Sequence, residues 1–354
     1  MTLPRERSLG PIAILGSGET SSSGGRVLES LARGLPSPLR VSVLETPAGF
    51  EPNSAQVAGR VADFLRLRLQ NSHPEVDLIP ARKRNSPFSP DDPEIVRPLL
   101  RSDLIFLGPG SPTYAVRQLR DSLAWHTLLA RHRLGAAIVL SSAAALAVSA
   151  LALPVYEIYK VGQDLHWHDG LDLLGFFGLS LVFIPHWNNA EGGSDLDTSR
   201  CFMGQERFVQ LGSLLPAQMT VVGIDEHTAL VFDLTAATCQ VMGAGGVTVI
   251  RSGQEYGLGS GEIFSLKELG SFQRPDSGAG IPLAVWEQVQ AAQSPPVLAA
   301  PPEVLALVAQ RRAARARRDW AAADALRQHI ASLGWQVMDT PSGPVLEPVV
   351  PALN

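Results

Sequence analysis

The sequence predicts an α/β fold: a mostly parallel sheet sandwiched by helices, extended by a β-meander and followed by a small C-terminal helical domain. Three observations carry this expectation. Short apolar runs alternate with helical patterns through the first half, Gly-rich or polar clusters sit at the ends of those runs, and the composition shifts sharply near residue 275.

The runs Ile12–Leu15, Val41–Leu44, Val76–Ile79, Leu104–Leu107 and Ala136–Leu140 read as buried parallel strands, because a strand covered on both faces shows no polar alternation. Helical patterns over Arg26–Leu35, Ser54–Leu69, Pro93–Leu100 and Thr113–Ala130 separate them, as right-handed βαβ units require. In such sheets ligands bind at the carboxyl ends of the strands. After Ile184 a polar stretch reaches Arg200, and a helix follows near Gln205–Leu215. The segment Thr220–Ile250, with turns at Gly223, near Asp233–Thr238 and at Gly243–Gly246, reads as a meander completing the same sheet. Residues 1–274 are therefore expected to form the α/β domain. Residues 275–302, rich in Pro, Ala, Gln and Gly, read as a linker with room for one short helix around Trp286. Residues 303–354 form the tail: a helical stretch to Leu333, with turns opening at Asp319 or Thr340, and a short extended end.

Bulk properties narrow the function. Of 354 residues, 45% are hydrophobic and 18% charged, enough for a large core and unlike a disordered chain. A net charge of −5 argues against nucleic acid or an acidic membrane as the partner of the whole chain, while allowing a local basic patch. Cys201 and Cys239 are too few for a disulfide framework and their spacing suits no metal, so a reducing cytoplasm is expected. No signal-peptide run precedes the first strand. The apolar segment Gly135–Pro154 is interrupted by Ser141, Ser142 and Ser149, and reads as a strand feeding a helix rather than a membrane span.

Ser142 is the candidate reactive group. It stands between a strand and the helix start Ala143–Ala147, on a turn sharp enough to lift its side chain above the sheet edge, and its neighbours are small. A plain helix N-cap is the competing reading. A serine needs a base, and His186 follows the strand end Phe183-Ile184 on the same rim. An acid should orient that base. Glu226, between two apolar strands, and Glu157, in an apolar-aromatic surround, are both candidates, and the residues alone do not choose between them. The turn Gly108-Pro109-Gly110-Ser111-Pro112 can offer N–H groups to an oxyanion together with Ala143. His166 and His168 flank Trp167 without a third ligand at metal spacing, so no metal is expected. Gly16-Ser17-Gly18-Glu19 lacks the third glycine of a dinucleotide fingerprint, and no GxxxxGK[ST] loop exists.

GSGE at Gly16, LGPGSP at Leu107–Pro112, SSAAA at Ser141–Ala145 and GIDEHTAL at Gly223–Leu230 resemble the peptidase E and cyanophycinase family, over about Gly10–Ile250. The resemblance implies a class I glutamine-amidotransferase-like fold and a serine peptidase. It implies Ser142 as nucleophile, His186 as base and Gly110 in the oxyanion hole. Glu226 matches the acid of the cyanophycinase branch, and Glu157 lies roughly where the peptidase E branch has its acid. The implied substrate is a short or aspartyl-linked peptide, cleaved without metal or organic cofactor, with Ser111, Asn188 and Asn189 as substrate contacts. Leu140 and Ala144 stand where the family elbow has glycines. A ligand-binding member of the fold without catalysis is the alternative.

The stretch Arg315–Arg327, then Leu333-Gly334 and Asp339–Gly343, resembles the C-terminal region of cysteinyl-tRNA synthetases, over about 45 residues. Neither the HIGH nor the KMSKS motif occurs, so aminoacylation is not implied. A weak tRNA or RNA contact through Arg311, Arg312, Arg315 and Arg318 is the functional expectation, and a solvated helical face is the other.

Overall fold

The apolar runs of the first half pair as predicted parallel strands in a computed structural model that describes residues 9–293, 300–340 and 343–348. The chain forms two compact units, Met1–Gln293 and Ser294–Asn354. In the first, β1 (Ile12–Leu15) leads through α1 (Ser22–Ala32) to β2 (Arg40–Leu44), and α2 (Ser54–Arg68) continues to β3 (Glu75–Ile79). One-turn α3 (Pro93–Val96) precedes β4 (Leu104–Leu107), and α4 (Pro112–Leu119) with α5 (Leu123–Arg133) crosses back to β5 (Ala137–Ser141). The order β3-β2-β4-β5-β1 is parallel throughout, so the segments that leave these strands open on one rim. Every residue of β1, β4 and β5 is buried, which explains their unbroken apolar runs.

The pattern Thr113–Ala130 is two helices, not one. Asp121 turns the chain with φ 57°, and the Ser122 hydroxyl accepts the Trp125 N–H at 3.1 Å to start α5. The apolar period runs on across the break, which hides it in the sequence.

Further along come α6 (Ala143–Ala147), β6 (Leu151–Ala152), α7 (Val155–Tyr159), β7 (His168–Asp169), β8 (Leu181–Ile184) and α8 (Gly204–Ser213). The segment expected as one meander, Thr220–Ile250, contains β9 (Thr220–Ile224), β10 (Thr228–Asp233), β11 (Thr238–Gly243) and nearly all of β12 (Val247–Arg251); β13 (Gln254–Leu258) and β14 (Ile263–Ser265) follow it, and these strands divide between two sheets. β10, β11 and β14 extend the main sheet to eight strands, with β10 antiparallel to β1. β9 is buried along its whole length and finds neighbours on both edges in a second sheet, ordered β13-β12-β9-β8. Residues 225–227 carry the chain from one sheet to the other.

Helix α5 is buried on nearly all sides, so its outer face needs a cover. Helix α9 (Leu283–Gln293) supplies it: Val285 and Val289 join Ala124, Trp125, Leu128 and Leu129 in the main core. The α/β unit thus runs to Gln293 rather than 274, and most of the expected linker is part of it; residues 294–299 lie outside the described residues.

The second unit pairs α10 (Pro302–Ala316) with α11 (Trp320–Ser332), and its expected extended end is a hairpin of β15 (Trp335–Thr340) and β16 (Gly343–Pro348). Pro341, Ser342 and residues 349–354 are outside the described residues. Val304, Leu307, Ile330, Trp335 and Val337 form its own core. Asp319 caps α11 by accepting the Ala322 N–H at 3.1 Å. Arg311 is corrected as an RNA-facing residue: only 4% exposed, it donates to both Asp339 oxygens at 2.8 and 2.9 Å and ties α10 to β15. Arg315 shares that carboxylate at 2.8 Å, whereas Arg312 and Arg318 are exposed.

Among the described residues no helix is long and apolar enough to cross a membrane, and Gly135–Pro154 spans β5, α6 and β6. Because Val289 is fully buried against α5, Val289→Ala should destabilise the first unit by about 1–3 kcal/mol, read from urea unfolding. Wild-type stability in that variant would show that α9 is only a tether.

Candidate active site

Between β5 and α6, Ser142 adopts φ 54° and ψ −115°. Such a backbone costs a non-glycine residue on the order of 1–3 kcal/mol and persists only where its surroundings hold it. Here the Ser142 N–H donates to the Leu15 carbonyl at 3.4 Å, and the buried Ser141 hydroxyl donates to Glu19 Oε2 at 2.8 Å. Leu140 and Ala144, on either side of the bend, are fully buried in the main core. The hydroxyl of Ser142 makes no helix-cap bond. It lies 3.1 Å from His186 Nε2.

His186 also has a left-handed backbone, φ 53°, just past β8. Its N–H donates to the Gly16 carbonyl at 3.2 Å, and its own carbonyl accepts from Cys201 N–H at 3.2 Å. Its Nδ1 lies 3.0 Å from Glu226 Oε1. Asn189 Nδ2 donates to the same carboxylate oxygen at 3.0 Å, and the Glu226 N–H donates to Asn188 Oδ1 at 2.8 Å. Of the two expected substrate contacts, Asn189 is 3% exposed and turned to Glu226, whereas Asn188 is exposed and gives Glu226 only its Oδ1. Burial works against ionising Glu226, but the hydrogen bonds from Asn189 and His186 outweigh it and hold the carboxyl below its ordinary range.

A cavity of about 390 Å³ opens over Ser142 and Ala143, walled by Gly110, Leu146, Tyr156 and Phe202. Cys201 also lines it, yet burial, helped by Glu226, pushes its thiol up to about 12, leaving it a poor nucleophile near neutral pH. A larger cavity, about 760 Å³, lies beyond the shared wall and contains Ser111, Thr113 and Glu157. Glu157 does not approach His186; its Oε1 accepts from Thr113 Oγ1, so it is not the acid at the imidazole. Ser111 caps α4, accepting the Tyr114 N–H at 3.2 Å, and faces the larger cavity instead of Ser142. Gly110 keeps φ 146°, and a Cβ there would stand 1.9 Å from the Pro47 carbonyl oxygen, so only glycine fits.

The chain is similar to solved structures. The chain aligns over 74% of its length, at 22% identity and TM-score 0.59, with 98% of a peptidase from an acI-B1 Actinobacterium. The chain shares the α/β fold of that protein. A Listeria monocytogenes EGD-e protein, named as a candidate peptidase E, aligns at 15% identity over 69% of this chain and 99% of its own, with TM-score 0.42. Residues 299–343 match the family described as the cysteinyl-tRNA ligase anticodon binding domain. A cysteine–tRNA ligase of Rubrobacter xylanophilus is 53% identical over 47 residues, which are 13% of this chain and 10% of that ligase.

Sequence reasoning missed Glu19, Ser17 and the aromatic wall. The GSGE motif was the available signal for the first two, but it reads as a turn until the folded chain brings Ser141 to Glu19 and the His227 N–H to Ser17 Oγ, 3.2 Å away. Removing the Asn189 donor should raise the Glu226 pKa, visible as a carboxyl ¹³C titration moved to higher pH in Asn189→Ala. A depressed carboxyl stabilises the fold above its unfolded value and loses that contribution as pH falls through the folded one, so the variant should lose stability at a higher pH than wild type.

Proposed function

We propose that the protein is a serine-type hydrolase of the peptidase E and cyanophycinase kind, acting on a short or aspartyl-linked peptide. The observation that carries this reading is the continuous chain from Ser142 Oγ through His186 to Glu226, with steps of 3.1 and 3.0 Å. Ser142 attacks the scissile carbonyl carbon while His186 Nε2 takes the hydroxyl proton. Glu226 keeps Nδ1 protonated and steadies the imidazolium. The β5–α6 turn serves as a nucleophile elbow, with the N–H groups of Gly110 and Ala143 receiving the tetrahedral oxyanion. The imidazolium then gives its proton to the leaving amine, which departs as the acyl-serine forms. Water, deprotonated by the same ring, attacks the acyl-serine and releases the carboxylic acid, and Ser142 regains its proton. Two free, buried cysteines favour the cytoplasm as its compartment.

The second unit supports a further reading, a tRNA contact. Its match to an anticodon-binding family is joined by exposed Arg312, Arg317 and Arg318 and by Trp320, 56% exposed, where a base could stack.

A fluorophosphonate probe should label the wild type and not Ser142→Ala. Glu226→Gln should slow labelling by about 10²–10⁴-fold. Equal labelling of wild type and Ser142→Ala, or none in either, would leave a ligand-binding protein without catalysis. For the tail, tRNA affinity should fall steeply with salt and weaken in Arg312→Glu/Arg318→Glu; no binding to tRNA at low salt removes that reading.

A further inference from the structure

We propose that Glu157, rejected above as the acid beside the imidazole, is a positioning residue that sets the Gly110 turn against Ser142 through Thr113. The inference rests on the hydrolase reading and concerns its oxyanion donors.

The Ser142 cavity and the larger one share two walls, each of which turns some residues to one side and some to the other. Gly110 and Pro112 line the Ser142 cavity, whereas Ser111 and Thr113 line the other; Val155 and Tyr156 of α7 face Ser142, and Glu157 faces away. The hydrogen bond from Thr113 Oγ1 to Glu157 Oε1 joins these walls. Thr113 Oγ1 also lies 3.1 Å from Ser111 Oγ, which accepts the Tyr114 N–H at 3.2 Å, so the clamp reaches the first residue after Gly110.

The opposite side of the turn is stopped by backbone. The Ser111 N–H donates to the Pro47 carbonyl at 2.8 Å, and Gly110 passes so close to that carbonyl that no side chain fits. Tyr114 adds a third anchor, its hydroxyl donating to the Arg82 carbonyl at 2.9 Å. Pro47 limits how far the turn can move one way; Thr113 and Glu157 hold it from the other. An oxyanion donor acts only when its N–H lies within about 2.7–3.1 Å of the developing charge, so slack of a few tenths of an ångström at Gly110 matters.

Glu157 has little else to hold it. Its Oε2 is buried without a hydrogen-bond partner among the described residues, so Thr113 is the one polar partner seen at this carboxylate. Losing the Thr113 hydroxyl would strand both oxygens, and α7 would shift to rehydrate them.

The test measures fluorophosphonate labelling of Ser142 in the full chain, separating the maximal inactivation rate from the probe's KI and recording the pH profile. Thr113→Val and Glu157→Ala should lower the maximal rate by roughly 10–100-fold, with KI and the pH midpoint unchanged. Thr113→Ser, which keeps the hydroxyl, should restore most of the rate. Melting temperatures identify a variant that fails to fold; if Thr113→Val does, Glu157→Ala against Thr113→Ser carries the comparison. Wild-type rates in Thr113→Val and Glu157→Ala overturn the proposal, as does a displaced pH midpoint, which would place Glu157 in the charge environment of the base. A wild type that shows no Ser142-dependent labelling overturns the hydrolase reading and this inference with it.

Discussion

The loop that leaves β1 is where strands of two different sheets are tied together. The Gly16 carbonyl accepts from the His186 N–H, and the Gly16 N–H donates to the Thr228 carbonyl at 2.9 Å. Leu15 accepts from Ser142, Glu19 accepts from Ser141, and Ser17 accepts from His227. A Cβ on Gly16 would stand 2.1 Å from the Asp225 carbonyl oxygen, so the segments approach one another as closely as backbone permits. Each such bond is worth only about 0.5–1.5 kcal/mol net, but together they fix three loops in one register. Ser142 and His186 can hold left-handed backbones because this loop over-determines them.

Around that knot the two cavities differ in chemistry. The one over Ser142 mixes aromatic and aliphatic walls with Lys160 and Glu191, and has a carboxylate held ionised behind the imidazole and a thiol kept protonated by burial. In the proposed reaction this leaves Ser142, and not Cys201, as the nucleophile. The neighbouring cavity holds Glu157, which in the proposed mechanism acts only at a distance, through its bond to Thr113.

The second unit follows its own logic. It has a separate core, and its arginine block is partly consumed in holding that core together: Arg311 and Arg315 converge on Asp339, leaving Arg312, Arg317 and Arg318 to face solvent. A run of like charges in the sequence therefore overstates the cationic surface available to a polyanion. The two units resemble different proteins, and the fold of either part does not by itself dictate an activity.

The sequence alone determined the parallel core and its rim, because strands buried on both faces must be apolar throughout, and a sharp strand-to-helix bend must be flanked by small residues. Ser142, His186 and Glu226 were legible as candidates because each sits at a strand end. What stayed open was pairing. Glu157 and Glu226 both sit in apolar surroundings, and Asn188 and Asn189 look like any polar loop, since partners some forty residues away in the chain leave no local trace. The division of the expected meander between two sheets, the break after α4 and the docking of α9 onto α5 were likewise settled only by tertiary structure. Local pattern reports which face of an element is buried; which element covers it depends on contacts between segments far apart in the chain.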